Sequence, residues 1–141
     1  MAKTLLIGDI GGTNARFALG DVKKPGFTEL ATFKCADFES VESAIHEYLK
    51  IIAAPDPDVI CLAGAGPVVD NRIRMTNNHW TIAVAPLAKE FSTDAVRLLN
   101  DFEAIAYSVP FLDKEDCEPV GLPDPQPLPD DKYTIAILGP G

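Results

Sequence analysis

The stretch Leu5-Leu6-Ile7-Gly8-Asp9-Ile10-Gly11-Gly12-Thr13-Asn14-Ala15-Arg16-Phe17-Ala18-Leu19 decides how the fold is read. Residues 4–10 are almost continuously apolar and read as a buried strand. Residues 11–14 read as a turn and residues 15–19 as a second strand, so the two make a hairpin. The turn also has a chemical meaning. Paired glycines let the backbone bend tightly and approach a ligand closely. Successive N–H groups in such a turn form a nest for an anion, and Thr13 and Asn14 add side-chain donors. Asp9 ends a buried strand, where a carboxylate without a partner is costly. A hydrated Mg²⁺ would give it one. A hairpin turn with a solvated aspartate fits the same spacing.

Outward from the hairpin, residues 28–35 read as a third strand after the Pro25-Gly26 turn. The period then changes. Val41, Ala44, Ile45, Tyr48, Leu49 and Ile52 fall at helical spacing behind Ser40, a good cap, and Pro55 and Pro57 end the segment. Glu42, His46 and Lys50 take its solvated face. Residues 59–63 read as a buried strand, and residues 68–75 as a hairpin turning at Asp70-Asn71. A short helix is expected around Pro86, a strand over 96–99, and a helix from Phe102 to Val109 that Pro110 stops. Residues 117–131 hold five prolines and read as an extended loop, followed by a last strand over 133–138. Antiparallel strands come first and strand–helix alternation follows. That order predicts an α/β fold with a five-stranded mixed sheet flanked by helices, not a purely parallel sheet.

Composition narrows the function. The 141 residues make one ordinary domain, and 47% are apolar, enough for a core. The net charge of −9 argues against nonspecific nucleic-acid binding and against docking on anionic membrane. It leaves room for a nucleotide held by backbone N–H groups. The three cysteines, Cys35, Cys61 and Cys117, are odd in number and not spaced as a zinc or redox pair. Cys61 reads as a small core residue, and the chain as a cytoplasmic one without a signal peptide. No run approaches the roughly 20 apolar residues of a membrane span.

Two familiar phosphate loops are missing: neither G-x-x-x-x-G-K-[ST] nor G-x-G-x-x-G occurs. Two further segments carry polar groups at telling places. In Leu98-Leu99-Asn100-Asp101-Phe102 a buried strand ends and a helix begins, and α/β sheets bind ligands beyond the carboxyl ends of their strands. Asp101 there either accepts a proton from a hydroxyl or caps the helix, and the roles are compatible. In Met75-Thr76-Asn77-Asn78-His79-Trp80 the lone Trp beside polar groups suits a carbohydrate edge or a loop with a half-buried Trp. His79 lacks a second metal ligand at useful spacing.

Together, Gly8-Asp9-Ile10-Gly11-Gly12-Thr13-Asn14-Ala15-Arg16, Met75-Thr76-Asn77, Trp80 and Asn100-Asp101-Phe102 resemble the bacterial glucokinase family outside the repressor-type sugar kinases. The resemblance spans essentially the whole chain and implies an actin-like ATPase (ribonuclease H-like) domain that phosphorylates glucose at its 6-hydroxyl with ATP. It implies that Gly11, Gly12, Thr13 and Asn14 hold the ATP phosphates and that Asp9 holds Mg²⁺. Asn100 would bind sugar hydroxyls, Asn78 would line the sugar pocket, and Asp101 would be the general base. Such enzymes continue into a second, larger domain. Leu138-Gly139-Pro140-Gly141 resembles the start of its glycine-rich phosphate loop. Residues 1–141 are therefore expected to be the N-terminal small domain, with the second domain as partner and a homodimer as one outcome of its bared face. Two rival readings are a kinase for another hexose or an N-acetylated sugar, and an isolated domain that binds or regulates without catalysis.

Overall fold

The computed structural model describes residues 3–21, 23, 26–121 and 134–139. The elements run β1 (Leu5–Ile10), β2 (Asn14–Gly20), β3 (Phe27–Lys34), α1 (Val41–Ile51), β4 (Val59–Gly64), β5 (Val68–Val69), β6 (Arg72–Arg74), β7 (Thr81–Ala83), α2 (Val84–Glu90), β8 (Val96–Asn100) and α3 (Asp101–Ser108). Five strands form one sheet in the order β3-β2-β1-β4-β8. The first hairpin is antiparallel, with Asp9 opposite Arg16 and Ile10 opposite Ala15, and β3 joins it antiparallel. From β1 onward the sheet is parallel, Ile10 pairing with Gly64 and Gly64 with Asn100. This is the mixed sheet expected from the order of antiparallel and alternating segments.

One face of this sheet is closed. Alternate residues Leu6, Ile10, Ala15, Phe17, Ile60, Leu62 and Leu98 are buried, as the two-residue side-chain period requires. Gly8 lies among them because an added Cβ would come within 2.7 Å of Leu62 Cδ2. α1 covers this core with Val41, Ala44, Ile45, Tyr48 and Leu49. Ser40 caps it, in a reciprocal box with Ser43. Tyr48 packs its ring 5.7 Å from that of Phe17 and donates its hydroxyl to the Glu29 carbonyl at 2.9 Å. Burial, helped by the charge of Glu29, pushes its phenol up to about 12. α2 tolerates Pro86 because its first turn has no intrahelical N–H bond to lose. His46 joins α1 to α2 through Glu90 Oε1 at 2.7 Å and by ring contact with Phe91.

A second sheet, β5-β6-β7, contains the Asp70-Asn71 hairpin, whose two turn residues take left-handed φ. β7 was not legible in the sequence, since three residues carry no periodicity of their own. Two further expectations are corrected. Residues 134–138 form no strand, and Tyr133 lies outside the described residues. An apolar run becomes a strand only where a neighbour completes its ladder, and among the described residues the two sheets do not include this run. Cys61 is only partly buried, and Cys35 is the cysteine in the core. No disulfide joins the three. The proline-rich segment has no helix or strand from Cys117 to Gly121, and residues 122–131 lie outside the described ones.

The chain divides into two compact units, Met1–Asp101 and Phe102–Gly141. The second contains most of α3 and a 3₁₀ turn over Val109–Phe111 that includes Pro110. No residue of α3 is buried. In this unit Ala106, Val109 and Pro110 face Ile135 and Ile137 across a cavity of about 160 Å³.

Candidate functional site

Parallel pairing places the carboxyl ends of β1, β4 and β8 side by side, at Ile10, Gly64 and Asn100. Two strand spacings of about 4.8 Å put the glycine turn and Asn100 about 10 Å apart on one sheet edge. Beyond these ends lie the turn after β1, the Gly64-Ala65-Gly66 segment, and the Asn100-Asp101 junction. A strand end next to a helix start is where α/β sheets take ligands.

The turn after β1 is closed by Gly11 N–H donating to the Asn14 carbonyl at 2.9 Å. It is also anchored by Cys35 N–H, which donates to the Thr13 carbonyl at 2.9 Å. Among the described residues, the N–H groups of Gly12 and Thr13 donate to no protein acceptor. Neither Gly11 nor Gly12 uses positive φ. Gly12 is fixed by packing, since an added Cβ would stand 2.6 Å from Asn77 Cβ. Gly11 has ordinary room, its nearest neighbour being the Asn14 carbonyl at 3.4 Å.

Asp9 departs from the sequence argument. Its side chain is 58% exposed and pairs with Arg16 Nη1 across the hairpin at 3.1 Å. No desolvation cost therefore calls for a metal. Its chemistry still suits Mg²⁺, which keeps most of its water and takes one or two carboxylates along with phosphate oxygens. Among the described residues no three His, Cys, Asp or Glu side chains gather as a closed metal site.

Asn100 donates its amide Nδ2 to the Gly66 carbonyl at 2.9 Å. That bond ties the end of β8 to the segment following β4. Asp101 is the first residue of α3, half-buried, directly after Asn100.

The segment 75–80 proves structural at its end. Trp80 is 2% exposed and its indole Nε1 donates to the Phe38 carbonyl at 3.1 Å. It is thus a core residue and offers no carbohydrate edge. His79 Nε2 lies 3.0 Å from the same carbonyl. Both ends of the Asn78 amide are engaged within the protein: Oδ1 accepts from Trp80 N–H at 2.8 Å, and Nδ2 donates to the Gly11 carbonyl at 3.1 Å. Cys35 offers its thiol to that carbonyl at 3.7 Å. Burial pushes the thiol's pKa up, so it keeps the proton that it donates. Two participants escaped the sequence reading: Cys35 and Gly66. Asn77 stood in the quoted motif but was given no role there. Cys35 and Gly66 depend on contacts 24 and 34 residues away in the chain. A cleft of about 460 Å³ lined by Pro67, Val69, Asp70, Arg72 and Arg74 includes none of the expected site residues.

A family model described as Glucokinase matches residues 6–141. The chain is 43% identical over 141 residues to a glucokinase of Chromohalobacter salexigens, covering 100% of this chain and 43% of that one. Its structure resembles the crystal structure of a glucokinase from an Antarctic psychrotroph, with a TM-score of 0.70 at 38% identity over 82% of this chain and 37% of that one. It also resembles a glucokinase of Balamuthia mandrillaris solved in complex with glucose, with a TM-score of 0.55 at 27% identity over 77% of this chain and 32% of that one. The mixed sheet and helices are the architecture of the actin-like ATPase sugar kinases. The chain spans less than half the length of the curated relatives it matches. No described helix is long and apolar enough to cross a membrane.

Proposed function

The chain belongs to the glucokinase family, and from that premise we propose that it forms one wall of an ATP-dependent, cytoplasmic glucose kinase. One observation supports this reading above the others. The glycine turn, two of whose N–H groups meet no acceptor among the described residues, and the Asn100-Asp101 junction share one sheet edge, two strands apart. An anion held at the first and a hydroxyl held at the second would face each other along that edge.

In this reading Gly11, Gly12, Thr13 and Asn14 take the ATP phosphates, the N–H groups of Gly12 and Thr13 countering their charge. Asn100, steadied by Gly66, belongs to the sugar side. Asp101 accepts the proton of the sugar 6-hydroxyl. The freed oxygen forms the new bond to the γ-phosphorus, the bond from that phosphorus to the bridging oxygen breaks, and ADP leaves with the electron pair. Asp9 would hold Mg²⁺, which when bound neutralises phosphate charge. Most of the catalytic effect in such transfers comes from positioning and electrostatics rather than covalent chemistry. Residues 1–141 act as the N-terminal small domain, and the remaining length of the family supplies the facing wall, which excludes water on closure.

The test is a coupled ADP-release assay on the gene product at its natural length, with millimolar glucose and Mg-ATP. Glucose-dependent turnover and formation of glucose 6-phosphate are expected. Turnover with N-acetylglucosamine but not glucose would assign another sugar, and no turnover with any hexose would sink the kinase reading.

A further inference from the structure

Two polar side chains from distant parts of the chain converge on one backbone oxygen of the glycine turn. Asn78 Nδ2 donates to the Gly11 carbonyl from 67 residues away, and Cys35 Sγ from 24. A trans peptide is planar, so its carbonyl and the following N–H point in opposite directions. Holding the Gly11 carbonyl toward Asn78 and Cys35 therefore turns the Gly12 N–H the other way, outward from the core. That N–H meets no protein acceptor among the described residues. Asn78 is itself held, its Oδ1 accepting from Trp80 N–H while the Trp80 indole is bonded to the Phe38 carbonyl. Asn77, beside it, closes on Gly12. A chain of contacts thus runs from the core at Phe38 through Trp80 and Asn78 to the turn.

We infer that Asn78 is a positioning residue for nucleotide phosphate, acting through the Gly11–Gly12 peptide whose N–H it aims at the anion. This rests on the kinase reading for the identity of the anion. It differs from the expected sugar contact, because both ends of the amide are already occupied by the protein. The role belongs to ATP, and its loss should separate ATP from glucose.

Two substitutions isolate it. Asn78→Asp keeps an acceptor for Trp80 N–H, as Asp and Asn both make this local turn, and it loses the donor to Gly11. Asn78→Ser also keeps a weaker local acceptor, is too short to reach Gly11, and adds no charge. In the natural-length protein, calorimetric Kd for Mg-AMPPNP should rise about 2–10-fold in both, the range of one net hydrogen bond. KM for ATP should rise in step, while KM for glucose and Tm change little. Unchanged nucleotide Kd in Asn78→Ser would overturn the inference, because an effect confined to Asn78→Asp is charge repulsion. Parallel losses in Tm, glucose KM and nucleotide Kd would overturn it too, leaving a structural residue. If wild type binds Mg-AMPPNP but phosphorylates no hexose, the kinase reading fails while the Kd comparison still decides the role of Asn78.

Discussion

Gly11 and Gly12 are indistinguishable in the sequence, yet their surroundings differ. An added Cβ meets Asn77 Cβ at 2.6 Å at Gly12, and only the Asn14 carbonyl at 3.4 Å at Gly11. Gly12→Ala should therefore destabilise by about 1–3 kcal/mol, the usual cost of overpacking, and Gly11→Ala by clearly less. Urea midpoints of the two variants side by side check this, and equal losses would contradict the packing argument. Asp101 calls for a different experiment. Asn in its place keeps the shape and hydrogen-bonding ability at the start of α3 and removes the proton acceptor. General-base catalysis contributes about 10²–10⁴-fold, so kcat of natural-length Asp101→Asn should fall within that range with Tm unchanged. A kcat within a few-fold of wild type would reduce Asp101 to a helix-terminal residue.

At the scale of elements, α1 shows how sequence pattern becomes packing. Its apolar stripe and Ser40 cap were readable in order, and the structure uses each. Tyr48 carries an additional consequence. Its phenol is buried and bonded to the Glu29 carbonyl, and it titrates at about 12 against an ordinary 10. Above pH 10 the unfolded chain loses this proton while the folded one retains it, so the folded state binds more protons and stability falls as pH rises. The decline should cover pH 10 to 12 and amount to about 3 kcal/mol, at about 1.4 kcal/mol per pH unit. Tyr48→Phe should lose about 1 kcal/mol at pH 7 with the hydrogen bond and flatten that alkaline decline. Urea unfolding of both proteins from pH 8 to 12 measures it. Parallel curves would show that Tyr48 titrates normally.

For the molecule as a whole, the two units differ in how well each closes a core. Among its described residues the first buries 22 apolar side chains, 19 of them in one cluster that runs from β1 to β8. In the second, Phe102, Ile105, Tyr107, Phe111, Leu112, Ile135 and Leu138 are exposed. The 141-residue chain by itself should therefore show weak, concentration-dependent association in sedimentation velocity. It should also release no ADP in a glucose-dependent way. It offers one wall of the proposed site, and positioning by a complete site supplies about 7–11 kcal/mol of barrier reduction. Turnover by this chain near the rate of a natural-length enzyme would mean that these residues assemble the whole site.

What the sequence determined by itself was whatever local pattern enforces. Alternation and apolar runs set the strands of the main sheet, the 3.6-residue period with Ser40 set α1, and glycine and proline set the turns. The motif residues at 9–14 and 100–101 were visible because their spacing is local. Tertiary structure alone decided the rest, because it depends on neighbours far away in the chain. Pairing through β4 put the ends of β1 and β8 on one edge. The hairpin register gave Asp9 the Arg16 partner and left its side chain exposed. Among the described residues, 134–138 belong to neither sheet, although the apolar run alone reads as a strand. Folding brought Asn77, Asn78 and Cys35 around the glycine turn. A hydrogen bond spanning 67 residues leaves no periodic trace in sequence, since its partners need only meet in space.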